Sequence, residues 1–469
     1  VDEIVHWTAA ELSAAIRDRV VSCVEVMTAY LDHIDKINPA VNAIVGLRPR
    51  AELLAEAAEK DRGVPQGWMH GFPHAVKDLA DVSGLTSSYG LVPPIRAAAD
   101  SLFVERIRAA GAIFIGKTNV PQLGLGSQTY NDIYGTTLNA YDQTRTAGGS
   151  SGGAAVAVAL RMLPVADGSD FMGSLRNPPG WNNVYGLRPS FGRVPSAGGD
   201  QFIAQGGVEG PIARTATDLE LLFRTMSGYD ARSPLALPDD DTRGELGRRV
   251  AWLGDLGGYL PMEPEVLTVT RAALDRLAGL GITVDTLDEL PGLGNDALWP
   301  TWLTYRHWLA GLAVASVHDD PALRPLLKPE AIFEYEGLTR LSAIDVAENS
   351  ESRSRLYEGF RVLFETYDYV VLPTAQVLPF DATQHWPHTI GGRTMSSYHR
   401  WMEVTTIGTL INAPVLAVPA GFSAGGLPIG LQIIGRNHDD RGLLEFAKAW
   451  ESQTGDLQER RPPLLLSGP

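Results

Sequence analysis

Cysteine is almost absent: Cys23 is the only one in 469 residues. No intramolecular disulfide can form, which suits a reducing compartment. Cys23 sits in a helical pattern and reads as a packing residue. No apolar run reaches the roughly 18 residues that a membrane span requires, so no membrane segment is expected. The N-terminus, Val1-Asp2-Glu3-Ile4, lacks the basic and apolar regions of a signal peptide. A leader removed before Val1 would leave no trace in this numbering; the expectation is a cytoplasmic chain. Excess positive charge is missing too. The net charge of −16 is a poor footprint for nucleic acid and favours solubility. There is no long Ser/Gly linker, repeat or low-complexity tract, so one domain over residues 1–469 is expected.

What is present is enough for a large core, with 44% hydrophobic and 20% charged residues. Thr8-Ala9-Ala10-Glu11 and Ser22-Cys23-Val24-Glu25 match capping boxes. Val26, Tyr30, Leu31 and Ile34 then keep helical spacing, and Pro39 is expected to end the run. From about residue 72 short apolar runs alternate with helical ones. Strands are expected at Ala75-Val76, Ala112–Ile115 and Leu163–Ala166, and again near Arg249–Leu253, Tyr369–Leu372, Val415–Val418 and Ile429–Ile434. Helices are expected at Ala154–Met162, Thr217–Ser227, Pro264–Gly279 and Asp440–Gln453. This rhythm predicts an α/β fold with a mostly buried, mixed sheet. Residues 290–365 are helix-like and hold Trp299, Trp302, Tyr305 and Trp308. They read as a helical insertion. Its rings either pack in the core or line an apolar pocket under a cap.

The chemistry concentrates between Gly148 and Arg176. Gly148-Gly149-Ser150-Ser151-Gly152-Gly153 precedes a small-residue helix, and Asp170-Phe171-Met172-Gly173-Ser174-Leu175-Arg176 follows a strand. A phosphate loop is disfavoured because no lysine follows the glycines. Gly149 to Gly153 also matches Gly-x-Ser-x-Gly, with Ser151 as nucleophile. That elbow needs a buried strand before it, and Asp142 to Ala147 is mostly polar. Ser174 has Gly173 beside it, and consecutive N–H groups before such a serine can bind an oxyanion. Upstream, Phe72-Pro73-His74-Ala75-Val76 ends in Lys77. Burial favours the neutral amine, which can take a proton from a serine. Lowering a lysine from about 10.4 to 7–8 needs roughly 3–4 kcal/mol. The alternative is a lysine paired with Asp78 or Asp81.

Together these segments resemble the amidase signature family. Gly71 to Asp78 looks like its lysine segment, Gly116-Lys117-Thr118-Asn119-Val120-Pro121 like the segment before its substrate loop, and Gly148 to Gly153 like its Gly-Gly-Ser-Ser-Gly-Gly. Gly186-Leu187-Arg188-Pro189-Ser190, Asn412 to Gly421 and Gly426 to Gln432 are similar to later family segments. The likeness is strongest over about 70–200, a signature core, and 369–450. It implies a large, twisted, mixed central β-sheet covered by helices on both faces. It also implies a Ser–cis-Ser–Lys triad: Ser174 as nucleophile, Ser150 on a cis peptide as relay, Lys77 as base. The backbone around Phe171, Met172, Gly173 and Ser174 would form the oxyanion hole, and Gly124 and Leu125 would line the opposite wall. The implied reaction is hydrolysis of a small-molecule amide through an acyl-enzyme, with no metal or organic cofactor. A homodimer is implied because dimers are common among relatives.

The chain departs from the family pattern where Met172 replaces a usual glycine and Asn177-Pro178-Pro179-Gly180-Trp181 follows the arginine. Both changes bear on substrate choice, and Met172 and the aromatic cluster point to an apolar acyl or amine group. Three other functions stay open: the glutaminase subunit of a tRNA-dependent amidotransferase, a serine hydrolase of esters or carbamates, and a non-catalytic binding protein.

Overall fold

Two capping boxes open the first long helices. Thr8 and Glu11 close one at the start of α1 (Ala9–Arg17), and Ser22 and Glu25 another at α2 (Cys23–Val41). Contrary to the sequence expectation, α2 runs through Pro39. It stops at Asn42, whose left-handed backbone (φ 52°) donates its N–H to the Asn38 carbonyl. The Asn38 side chain accepts from the N–H groups of Ala43 and Ile44, so the turn after the proline is capped from within the helix. Cys23 is buried against Gly71, and burial pushes its thiol up to about 12. This computed structural model describes residues 3–91, 95–238 and 244–466; Val1 and Asp2 lie outside the described residues.

Eleven strands carry the architecture: β1 (Ile44–Val45), β2 (Pro73–Lys77), β3 (Ile113–Thr118), β4 (Val165–Asp170), β5 (Tyr185–Arg188), β6 (Val208–Ala213), β7 (Arg249–Trp252), β8 (Thr283–Thr286), β9 (Tyr369–Pro373), β10 (Val415–Phe422) and β11 (Pro428–Ile434). Eight form one mixed sheet in the order β8-β7-β9-β11-β10-β5-β6-β4, with β7 parallel to β8 and β9 and the other pairs antiparallel. Strands on both sides of the 290–365 segment therefore share this sheet. The lysine strand β2 does not join its ladder. It pairs with β3 in a separate three-stranded sheet, β1-β3-β2, and packs beside edge strand β4. Asp167 of β4 bridges the seam: its Oδ2 accepts the Lys77 backbone N–H (3.1 Å) and its Oδ1 lies 2.9 Å from His74 Nε2. A buried carboxylate thus replaces ladder hydrogen bonds at the point where Lys77 must be placed.

Both faces of the large sheet are covered. Along β9, Tyr369 and Val371 join one core cluster while Val370 and Leu372 join another. The first cluster is packed by α2, α3 (Gly152–Ala159), α4 (Ala216–Met226) and the helix Asp440–Gln453. The second is packed by two helices of the 290–365 segment, α5 (Leu298–Asp319) and, beyond α6 (Pro329–Arg340), α7 (Ala343–Leu363); Ala310 and Val314 of α5 form a small satellite core with Ala331 of α6 and with Leu125. The helix expected to reach Met162 ends at Ala159, and the strand expected at Leu163–Ala166 runs on as β4 to Asp170. No helix among the described residues is long and apolar enough to cross a membrane.

Candidate active site

Three segments converge where β2 meets β4. Lys77 ends β2, Ser150 lies in the glycine turn before α3, and Ser174 lies in the turn after β4. The Gly149–Ser150 peptide is cis. Lys77 Nζ is 2.8 Å from Ser150 Oγ, and Ser150 Oγ is 3.0 Å from Ser174 Oγ. The Ser150 backbone N–H also donates to Ser174 Oγ at 2.8 Å. A hydrogen-bonded line therefore runs from a buried amine to a hydroxyl that opens onto a cavity of about 310 Å³.

Lys77 is 1% exposed. Its Nζ also meets Ser151 Oγ (2.8 Å), Ser169 Oγ (2.9 Å) and the Ser169 carbonyl (3.2 Å). The carbonyl can only accept. In the neutral amine, the second N–H and the lone pair then fall among three hydroxyls, so the nitrogen can take a proton from one of them. Burial pushes Lys77 down to about 7, against the carboxylates of Asp170, Asp167 and Glu209, which favour the ammonium. Neither Asp78 nor Asp81 is its partner. Asp78 accepts from Ser88 and lies 3.8 Å from Lys117, and Asp81 accepts from the Tyr89 hydroxyl.

Ser151 is fully buried and does not line the cavity. It approaches Lys77 because Gly168 leaves room: a Cβ there would stand 2.8 Å from Ser151 Oγ. The residues before it form turns and two isolated bridges, not the buried strand of a nucleophile elbow.

The turn bearing Ser174 is built on Asp170. Its buried carboxylate accepts the N–H groups of Gly173 (2.9 Å) and Leu175 (3.0 Å) and a bidentate pair from Arg176 (both 2.9 Å). Arg188 donates to the Asp170 carbonyl at 2.6 Å and lies 3.4 Å from its carboxylate. Burial alone would raise this carboxyl, but Arg176 and Arg188 hold it well below the usual range. Gly173 takes φ +93°, and a Cβ there would meet Thr405 at 2.9 Å. One expectation is corrected here: the Gly173 N–H is committed to Asp170, so it is not offered to the cavity. The N–H groups of Phe171 and Met172 donate to no described residue.

The opposite wall includes Gly124 and Leu125, and a Cβ on Gly124 would stand 3.6 Å from Ser150 Oγ. Met172 lines the cavity, as do Leu309, Ala310 and Ala313 of α5. The aromatic cluster on that helix does not. Trp299, Trp302 and Tyr305 are buried in the core, Trp302 and Tyr305 edge-on to Phe171 at 5.6 and 6.0 Å. The segment 177–181 is a short buried helix whose Trp181 stacks on Trp401 at 5.6 Å. Sequence reasoning missed Glu209, Arg306 and His399 as neighbours of this site; Asp167, Ser169, Asp170 and Arg176 stood inside the segment it had singled out, but with no role assigned to them.

The sequence profile described as Amidase matches residues 25–444. The chain belongs to the Amidase family. An acylamidase from Rhodococcus erythropolis is 32% identical, with 96% of each chain covered. A glutamyl-tRNA(Gln) amidotransferase subunit from Chloroflexus aurantiacus is 30% identical, covering 99% of this chain and 100% of that one. Among solved structures, a bacterial aryl acylamidase of the amidase signature family superposes with a TM-score of 0.89 at 26% identity, over 99% of both chains. As a member of this family the chain is an amidase, an enzyme of carbon–nitrogen bonds other than peptide bonds.

Proposed function

We propose that this amidase hydrolyses a small carboxylic amide through an acyl-enzyme on Ser174. The observation that carries the reading is the line Ser174 Oγ, Ser150 Oγ, Lys77 Nζ, with steps of 3.0 and 2.8 Å, opening onto the cavity at its serine end only. Ser174 Oγ attacks the amide carbon as its proton passes to Ser150 Oγ and the Ser150 proton to the neutral Lys77 amine. The Phe171 and Met172 N–H groups meet the oxyanion, and the paired charges of Asp170, Arg176 and Arg188 hold the turn that presents them. Collapse returns the proton by the same route to the leaving nitrogen. Water then enters in place of the amine and releases the acid. No step needs a metal or organic cofactor. Apolar side chains from both walls, Leu125, Met172 and Leu309 among them, suit an apolar acyl or amine group.

Release of aniline from acetanilide and longer acyl anilides by the chain alone, lost in Ser174→Ala, is the expected result. The amidotransferase relatives carry a second reading, glutamine hydrolysis that feeds ammonia to a partner. It predicts glutaminase activity that rises with a partner protein and charged tRNA, with little turnover of anilides.

A further inference from the structure

Away from Lys77, a group of polar side chains is buried together behind the cavity wall. Glu334 of α6 is fully buried. Its Oε1 accepts from the Tyr398 hydroxyl at 2.6 Å and from Arg306 Nε at 3.4 Å, and its Oε2 lies 2.8 Å from His307 Nδ1. Arg306, from α5, also donates from Nη2 to the Tyr398 hydroxyl at 3.3 Å, and its guanidinium sits 4.7 Å over the Phe171 ring. None of these groups bonds to Lys77, Ser150 or Ser174, so the proton relay does not require them. What the network does is hold Arg306, 4% exposed, in one orientation at the cavity. Its Nη1 makes no hydrogen bond with any described residue.

His399 lines the same cavity and is 1% exposed. Its Nδ1 is 3.0 Å from Ser397 Oγ, while Nε2 has no hydrogen-bond partner and lies 3.9 Å from Glu334 Oε1. The nearby carboxylate favours the tautomer with its hydrogen on Nε2. Burial holds the ring neutral, with its pKa pushed down to about 3. Arg306 and His399 thus both line the cavity, and each keeps one nitrogen without a hydrogen-bond partner among the described residues; that of His399 is buried, and unmet buried polar atoms are rare.

We propose that Arg306 and His399 form a specificity subsite that receives an uncharged acceptor oxygen of the amide substrate, such as a ketone or ether oxygen, away from the scissile carbonyl. The inference rests on the acyl-transfer reading above. An uncharged group is favoured because the Arg306 charge is already met by Glu334 and because Glu209 places a further carboxylate on the cavity wall. The structural alternative is that the network only ties α5 and α6 to the segment around Tyr398.

Matched anilides separate the two. Aniline or arylamine release is measured for 4-oxopentananilide against pentananilide and for 4′-acetylacetanilide against 4′-ethylacetanilide, with succinanilic acid as the anionic arm. In the wild type, kcat/KM for the oxo compound should exceed that of its methylene partner by about tenfold or more in one pair, the worth of one good hydrogen bond. His399→Phe and the charge-neutral double variant Arg306→Met/Glu334→Gln should bring that ratio close to one. Because each ratio is taken within one protein, a general loss of activity cancels. If the double variant does not fold, His399→Phe decides. A wild-type ratio near one in both pairs, or a ratio retained in the folded variants, overturns the subsite. So does a preference for succinanilic acid over the uncharged compounds. Labelling of Ser174 by a fluorophosphonate without turnover of either pair counts against the subsite alone. No turnover and no labelling removes the acyl-transfer reading and the subsite with it.

Discussion

With Lys77 pushed down to about 7, roughly one amine in ten is neutral at pH 6 and nine in ten at pH 8. Only the neutral amine can accept the serine proton. The acylation rate, read as kcat/KM for an anilide, should therefore rise about tenfold between pH 6 and pH 8 and level off above pH 8. The second-order rate of inactivation by a fluorophosphonate should follow the same curve, because it reports Ser174 without the leaving-group step. A lysine near its ordinary value of 10.5 would instead give a rate still climbing about tenfold per pH unit at pH 9. The carboxylates facing Lys77 supply the internal control. Asp170, Asp167 and Glu209 favour its charged form, so Glu209→Gln should move the midpoint to lower pH with the plateau kept. A profile flat from pH 5 to 9 would refute Lys77 as the base, whereas a midpoint unmoved by Glu209→Gln would show that Glu209, whose carboxyl burial pushes up, is not charged beside it.

Three further outcomes follow from the same geometry. The folded pKa of Lys77 lies below its unfolded value, so between about pH 7 and 10.5 the unfolded chain binds the extra proton and stability rises with pH. Urea unfolding at pH 7 and 9 should show about 2 kcal/mol more gain in the wild type than in Lys77→Met, and equal gains would contradict a neutral buried amine. Asp170→Asn leaves Arg176 and Arg188 buried without their counter-charge and should cost about 3–5 kcal/mol in urea unfolding; a loss below about 1 kcal/mol would show that the turn does not depend on the pair. Ser151→Ala removes one partner of Lys77 Nζ and should lower kcat about tenfold with little change in KM, whereas loss of all fluorophosphonate labelling in that variant would return the nucleophile to Ser151.

The parts of this molecule that were legible in sequence are those whose cause is local. Capping boxes at Thr8 and Ser22 act over three residues, and both are present. The turns around Ser150 and Ser174 announce themselves by glycine, and Lys77 by the apolar run it ends. Strands β5 and β6 were not legible. Tyr185 to Arg188 carries a glycine and a buried arginine, and Val208 to Ala213 carries Gly210 and Pro211, residues that ordinarily argue against an interior strand. Arg188 is accommodated there by Asp170, a partner on another strand that no local pattern reveals. The same holds for the seam at Asp167 and for the network at Glu334, which joins Arg306, His307 and Tyr398 across long stretches of chain. The aromatic residues of α5 were visible as a cluster, but periodicity alone could not say that they face the core while Arg306, Leu309 and Ala313 face the cavity.

The central claim is that Ser174 is the nucleophile and Lys77 its base. Intact-protein mass with peptide mapping after fluorophosphonate treatment, on wild type and Lys77→Ala, tests it most directly. The expected result is a single adduct on Ser174 that is lost or greatly slowed in Lys77→Ala. An adduct on Ser151, or one on Ser174 that forms equally fast without Lys77, would contradict it.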